Sequence, residues 1–324
     1  MRIAFLGTPE VAVPALTTLV AADDIEVAVV ITNPDRPRGR RGTPQPPPVK
    51  VAAEAAGIPV WQPVKPREVL AEFEALELDA AAVVAYGALL PTDVLAAAGR
   101  GFINLHFSLL PRWRGAAPVQ HALRAGDEVT GVTTFVLDKG MDTGPVLERL
   151  EVRIEPDESA GALLARLAEL GGPVLRDSLR ALVAGTEPVP QPDEGATLAP
   201  KITPDDVAID FAAPARQVAD LVRSADPAPG AHTTFRDRRL KVLAARVVDP
   251  AEVAGAADHE VPGTIVAVTK AAAVVACGTG AIELVTVQPE GKARIDAAAF
   301  VNGYRPEAGE RLGAAPDGAA DGTP

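Results

Sequence analysis

The chain has 324 residues, 48% of them apolar, which exceeds one ordinary hydrophobic core and makes two domains the natural expectation. Its formal net charge of −12 excludes a broadly cationic surface, so any nucleic-acid contact must be focused on local basic patches and sensitive to salt. A single cysteine, Cys277, excludes an intramolecular disulfide and argues against a thiolate zinc site. With no secretory leader and no apolar run of membrane-spanning length, a soluble cytoplasmic protein without a membrane partner is expected.

In chain order, the first part alternates short apolar runs with helix-like stretches. Strands are expected at Arg2 to Leu6, Glu26 to Ile31, Ala80 to Ala85 and Gly101 to His106, with helices at Glu10 to Ala22, Val49 to Ala56 and Arg67 to Leu76. That alternation predicts an α/β fold, a Rossmann-like and mostly parallel sheet with helices on both faces. The first turn, Gly7-Thr8-Pro9-Glu10, lacks the G-x-G-x-x-G pattern, which argues against a nicotinamide cofactor. Thr8 reads there as a helix cap, with Pro9 at the first helical position. Further strands follow at Val132 to Leu137 and Leu147 to Ile154, then a long amphipathic helix at Ala160 to Val183.

Residues 190–205, rich in Pro, Gly, Asp and Glu, read as a linker between a first domain (1–189) and a second (206–308). In the second, a helix at Ala212 to Arg223 precedes five short strand-like runs between His232 and Val287, the spacing of a small barrel or sandwich. Cys277 reads as a small core residue there. The end of the chain, 309–324, has the composition of a disordered tail.

Two features point to chemistry. Asn104 and His106 are two apart in an apolar run, so on a strand both project to one face. An amide donor beside an imidazole at a strand's carboxyl end suits a carbonyl that must be held while a nucleophile adds to it. Asp142, in G-M-D-T-G, lies on a glycine-bracketed loop that could fold back towards the pair. The other three histidines, His121, His232 and His259, read as a helix residue and two water-facing turn residues. The second feature is the loop from Asn33 to Pro48. It carries Arg36, Arg38, Arg40 and Arg41 among prolines and glycines, a set of guanidiniums suited to phosphate.

The stretches N-L-H-F-S-L-L-P-R-W-R-G-A-A-P and F-V-L-D-K-G-M-D-T-G-P-V-L resemble the active-site signature of the folate-dependent formyltransferases. The likeness begins at M-R-I-A-F-L-G-T-P-E, includes N-P-D-R-P-R-G-R-R and V-V-A-Y-G-A-L-L-P, and runs on to L-A-P-K-I and Q-P-E-G-K. Within that family it is similar to the branch whose acceptor is methionyl initiator tRNA. The chain departs from the pattern at Leu198, where an aromatic is common, and at Ala228, where P-W-P-G is frequent.

The resemblance implies 10-formyltetrahydrofolate as co-substrate, no metal, and a monomer. It implies Asn104, His106 and Asp142 as catalytic residues, with the folate along Ser108, Leu109, Leu110 and Pro111 and beside Leu89. It places Thr8 and Tyr86 near the acceptor and aligns Arg40 with an arginine that contacts the tRNA acceptor stem. For the second domain it implies a barrel of the oligonucleotide-binding type, in which Lys201, Arg236, Arg238, Arg239, Lys241, Lys292 and Arg294 would supply positive charge. Other acceptors remain open on the catalytic set alone: glycinamide ribonucleotide or an amino sugar, water in a hydrolase, or none in a non-catalytic RNA-binding module.

Overall fold

The computed structural model describes residues 1–37, 42–248 and 261–313, which form two units. The first comprises Met1–Pro118, Val129–Ile154 and Leu163–Pro200; the second comprises Val119–Glu128, Glu155–Ala162 and the chain from Lys201.

The first unit is built on β1 (Arg2–Gly7), β2 (Glu26–Ile31), β5 (Val60–Trp61), β6 (Ala80–Val84), β7 (Phe102–His106), β8 (Val129–Val136) and β9 (Val146–Arg153). Their order across the sheet is β5-β2-β1-β6-β7-β8-β9. The first five run parallel, and β8 and β9 are antiparallel additions at one side. Ile3 to Leu6 in β1 and all of β6 are buried, as befits strands covered on both faces. Helices α1 (Val13–Val20), α2 (Pro48–Ala55), α3 (Leu70–Glu74) and α4 (Thr92–Leu95) lie in the crossovers and most of α6 (Ala160–Val183) follows, whereas α5 (Pro118–Arg124) falls in the second unit but for its first residue. On α6, Gly171 has no side chain where a Cβ would stand 2.8 Å from Leu105 of β7, so the helix backbone approaches that strand closely. A small ribbon, β3 (Arg36–Pro37) against β4 (Pro44–Gln45), rises from the loop after β2. Arg38, Arg40 and Arg41, between these two strands in sequence, lie outside the described residues.

In the second unit six strands form an antiparallel sheet around one core. They are β10 (Ala231–Phe235), β11 (Arg238–Val248), β12 (Ile265–Val268), β13 (Ala273–Ala276), β14 (Ala281–Pro289) and β15 (Ile295–Asp296). Helices α7 (Ala215–Ala225) and α8 (Ala297–Tyr304) contribute Val218, Val222 and Phe300 to that core. Cys277, one residue past β13, is buried there, and its thiol is pushed up to about 12 by loss of solvent. His232 lies within β10 and is half-buried, not in a turn; His259 is outside the described residues.

Two expectations are corrected. Residues 309–313 do not begin a disordered tail: Ile265 donates to Glu310, Leu312 donates to Gly263, and Leu312 is buried. Backbone pairing and one apolar anchor suffice to order a segment whose composition looks solvated. Within the expected linker, Gln191, Thr197 and Ala199 are hydrogen-bonded to loops of the first unit, as described below.

Among the described residues, no helix is long and apolar enough to cross a membrane.

Candidate active site

Strand β7 lies where the parallel part of the sheet meets the antiparallel part, between β6 and β8. Asn104 and His106, on one face of the strand, border a cavity of about 700 Å³ that Leu105 also touches, and Ile103 is fully buried. Asp142 borders the same cavity, so the three residues expected to act together do meet. The remaining wall is largely apolar, with Val83, Leu89, Leu90, Leu95 and Leu137, and Tyr86 and Met141 also contribute.

The His106 ring is 6% exposed and meets the edge of Phe135. Its Nε2 lies 2.9 Å from the carbonyl oxygen of Trp113. A carbonyl can only accept, so Nε2 carries the hydrogen and the neutral ring leaves Nδ1 bare. Nδ1 faces Asp142 Oδ2 at 3.7 Å, too long for a direct hydrogen bond. Two acceptors thus face each other across a gap that a proton or a donor group can bridge. Burial pushes the imidazole below its ordinary value, and the Asp142 carboxylate and the Trp113 carbonyl oppose that shift without cancelling it. That shift favours the neutral ring, the form a base requires.

Loop geometry holds Asp142. Its backbone is left-handed at φ 53°, unfavourable for a residue with a Cβ. The Gly115 N–H donates to its Oδ2 at 2.8 Å. Asp138 braces the turn that contains it, accepting from the Gly140 N–H at 2.9 Å and from the Thr143 hydroxyl at 2.8 Å. Gly115 sits at φ 125°, and a Cβ there would lie 2.6 Å from the Ala199 carbonyl oxygen. Only glycine fits on both counts.

The residues expected around the folate divide. Leu89 is 86% exposed at the cavity wall. Ser108 and Leu110 are turned inward: the Ser108 hydroxyl donates to the Arg112 carbonyl at 2.7 Å, and Leu110 packs on Phe135 and Val146. Leu109 and Pro111 are half-buried, and none of these four borders the cavity. The turn they make is braced by Thr133, whose hydroxyl donates to Ser108 O and accepts from Leu110 N. This turn delivers the Trp113 carbonyl to His106.

Tyr86 borders the cavity and is buried, which raises its hydroxyl above the ordinary value. Thr8 caps no helix. Its hydroxyl donates to the Tyr86 carbonyl at 3.1 Å and accepts from Asn33 Nδ2 at 3.0 Å, because Pro9 turns the chain before the helix begins. Asn33 also donates to Tyr86 O at 2.8 Å. Gln62 Nε2 donates to Asn33 O and Asp35, and Lys50 pairs with Asp35 at 3.0 Å. The base of the arginine-bearing ribbon is thereby pinned next to Tyr86, and Arg36 on the ribbon is exposed.

Sequence reasoning missed the Trp113 carbonyl, Asp138 with Thr143, and the pair Arg114 and Gln191. A main-chain acceptor leaves no trace in residue types. Arg114 and Asp138 lie inside the signature and could have been singled out, whereas Gln191 carries no local signal.

Residues 1–179 match the family model described as formyl transferase, and residues 201–305 match that of the formyl transferase C-terminal domain. Similar relatives include the methionyl-tRNA formyltransferase of Streptomyces griseus, 48% identical over 97% of this chain and 100% of the relative. The protein of that name from Frankia casuarinae is 46% identical over 97% of each chain. Among solved structures, HypX from Aquifex aeolicus superposes with a TM-score of 0.65 at 17% identity, over 96% of this chain and 48% of its own. The chain thus spans about half the length of HypX. An N-formyltransferase from Helicobacter canadensis, solved with folinic acid and dTDP-3-aminofucose, gives 0.64 at 15% identity over 89% of this chain and 99% of that one. Those two likenesses are of fold. With both family models matched over most of its length and full-length relatives above 45% identity, the chain belongs to the formyl transferase family.

Proposed function

We propose that the protein transfers the formyl group of 10-formyltetrahydrofolate to the α-amine of methionine on charged initiator tRNA, giving N-formylmethionyl-tRNA for translation initiation. The observation that carries this reading is the convergence of Asn104, His106 and Asp142 on one cavity in a chain of this family. The cavity's volume and apolar wall suit a flat pterin. We place the folate against Leu89, with the turn Ser108-Leu109-Leu110-Pro111 shaping the edge of its site. Tyr86, held by Thr8 and Asn33, borders the acceptor side.

The co-substrate supplies an N-formyl carbonyl. Asn104 donates its amide to the formyl oxygen, where negative charge develops as the amine adds. His106 Nδ1 removes the amine proton; a free α-amine titrates near ~7.7–8.0, so a weak base is enough. The imidazolium that forms is held between the Trp113 carbonyl and the Asp142 carboxylate. The proton then passes to the departing folate nitrogen as its bond to the formyl carbon breaks, with Asp142 orienting the ring for that delivery. The amine gains the formyl carbon and loses one proton; the folate nitrogen gains it. No metal enters this scheme.

We assign phosphate contacts to Arg36, Arg38, Arg40 and Arg41 of the stretch Asn33 to Pro48, and further RNA contacts to the second unit. A localised arginine group is how a chain of net charge −12 can bind RNA. The protein would act as a cytoplasmic monomer.

The test is transfer of labelled formyl from 10-formyltetrahydrofolate to methionine-charged initiator tRNA, with elongator methionyl-tRNA, uncharged tRNA and glycinamide ribonucleotide as controls. Product with charged initiator tRNA alone is expected. Transfer to a small amine, or release as formate, would overturn the acceptor assignment.

A further inference from the structure

Residues 190–200 belong to the expected linker and lie between the two family-matched stretches, which end at 179 and resume at 201. Their contacts are unlike those of a spacer. Val189 exchanges backbone hydrogen bonds with Val146, at 2.7 Å in both directions. Thr197 accepts from Trp113 N through its hydroxyl at 2.9 Å, and its carbonyl accepts from Arg114 N at 2.9 Å. Ala199 N donates to Arg114 O at 2.7 Å, and the Ala199 carbonyl accepts from Ala117 N at 3.1 Å. The segment thus runs beside the loop whose Trp113 carbonyl and Gly115 amide hold His106 and Asp142.

Gln191 is the side chain that joins the two catalytic loops. Its Nε2 donates to the carbonyls of Asp142 at 2.9 Å and Gly144 at 2.8 Å. Its Oε1 accepts from Arg114 Nε at 3.1 Å and Nη2 at 2.8 Å. Carbonyls only accept and a guanidinium only donates, so the amide orientation is fixed by its partners. A carboxamide of this length meets both demands; a carboxylate or an apolar chain cannot. The donor side fixes the backbone of Asp142 in its left-handed conformation. The acceptor side fixes Arg114, the residue before Gly115, whose N–H fixes the Asp142 carboxylate.

We infer that Gln191 is a positioning residue for the formyl-transfer reaction, clamping Asp142 at the separation from His106 on which proton transfer depends. The inference rests on the reaction proposed above. It makes the connector part of the active site in function, although it touches no reactant.

The test uses the full chain. Gln191→Met keeps the side-chain length and removes all four hydrogen bonds; Gln191→Glu keeps the acceptor for Arg114 and sets a carboxylate against two carbonyl oxygens. In both, kcat for formylation of charged initiator tRNA should fall about 10–100-fold, the usual effect of losing a group that orients a reacting one, with KM for either substrate little changed. In an Asp142→Asn background the same substitutions should cost nothing further, because the group they position is gone. An unchanged kcat, or losses that simply multiply, would overturn the inference. A second readout needs no activity: the NMR titration midpoint of His106 should drop in Gln191→Met towards its value in Asp142→Asn, and an unmoved midpoint would also overturn it. If the wild type fails to formylate charged tRNA, the proposed function falls while the titration still decides the role of Gln191. Should the methionine variant not melt cooperatively, the glutamate variant carries the same comparison.

Discussion

The end of β7 and the segment 189–199 contribute to the candidate active site in opposite ways. At β7, Asn104 and His106 present side chains to the cavity from a rigid strand, and their residue types announce their chemistry. In 189–199 no side chain reaches the cavity; the segment offers one amide, one hydroxyl and backbone groups to the loops that hold Asp142 and Trp113. The lesson is that a reacting group and the group fixing its position can come from segments with quite different sequence character. A strand end supplies precision through its ladder, whereas loops need clamps from elsewhere.

The comparison can be sharpened experimentally. The largest loss should come from the β7 side: His106→Ala is expected to lower kcat about 10²–10⁴-fold by removing the base. Asn104→Leu should cost about 10²–10³-fold, the size of one lost oxyanion donor. Single-turnover rates at saturating substrates measure both, and a fall in affinity without a fall in rate would count against these roles.

Next comes the junction between the two regions. Gly115→Ala forces a Cβ against the Ala199 carbonyl from a backbone conformation alanine resists, so destabilisation of about 1–3 kcal/mol is expected. Thermal unfolding of the pure variant checks this, and an unchanged midpoint would mean that the segment does not press on the loop.

A subtler effect is electrostatic. The His106 imidazole is already held below 6.5 by burial, with Asp142 pulling the other way. Asp142→Asn removes that opposing charge, so the His106 midpoint should move further down, and the acid limb of the rate profile should follow to lower pH. The same depression means that the folded state binds the His106 proton less readily than the unfolded chain. This contribution to stability is therefore present above about pH 6.5 and diminishes as pH falls through the folded midpoint. An upward shift on Asp142→Asn would overturn the assignment of Asp142 as the ring's partner.

The smallest effect should lie farthest from the chemistry. Arg36→Ala on the ribbon is expected to leave kcat unchanged, weaken tRNA binding modestly, and reduce the slope of log affinity against log salt by about 1. Affinity measured at several salt concentrations tests this, and an identical slope would remove Arg36 from the phosphate contacts.

Much of this molecule is legible without coordinates. Strand β2 and helix α6 have the bounds expected from their apolar patterns, since burial of one or both faces leaves a period in the sequence. The shared face of Asn104 and His106 follows from the two-residue repeat of a strand. The misreadings have equally physical causes. Thr8 looks like a helix cap because it precedes proline, yet its hydroxyl bonds across to Tyr86. For Ser108 and Leu110 the structure adds a fact that residue type does not carry: both are buried in the turn after β7, with the Ser108 hydroxyl on the Arg112 carbonyl. Residues 309–313 look solvated because small and charged residues dominate there, yet backbone pairing to β12 orders them.

By itself, the sequence determined the parallel sheet and the second β-rich unit, and it singled out the groups we propose for formyl transfer, because hydrophobic periodicity and side-chain chemistry are local properties. Tertiary structure alone decided the tautomer of His106, the gap between Nδ1 and Asp142, and the clamp made by Gln191. Each depends on a backbone carbonyl or a distant side chain brought to hydrogen-bonding distance by the fold, and such a partner leaves no periodic trace in the residues around it.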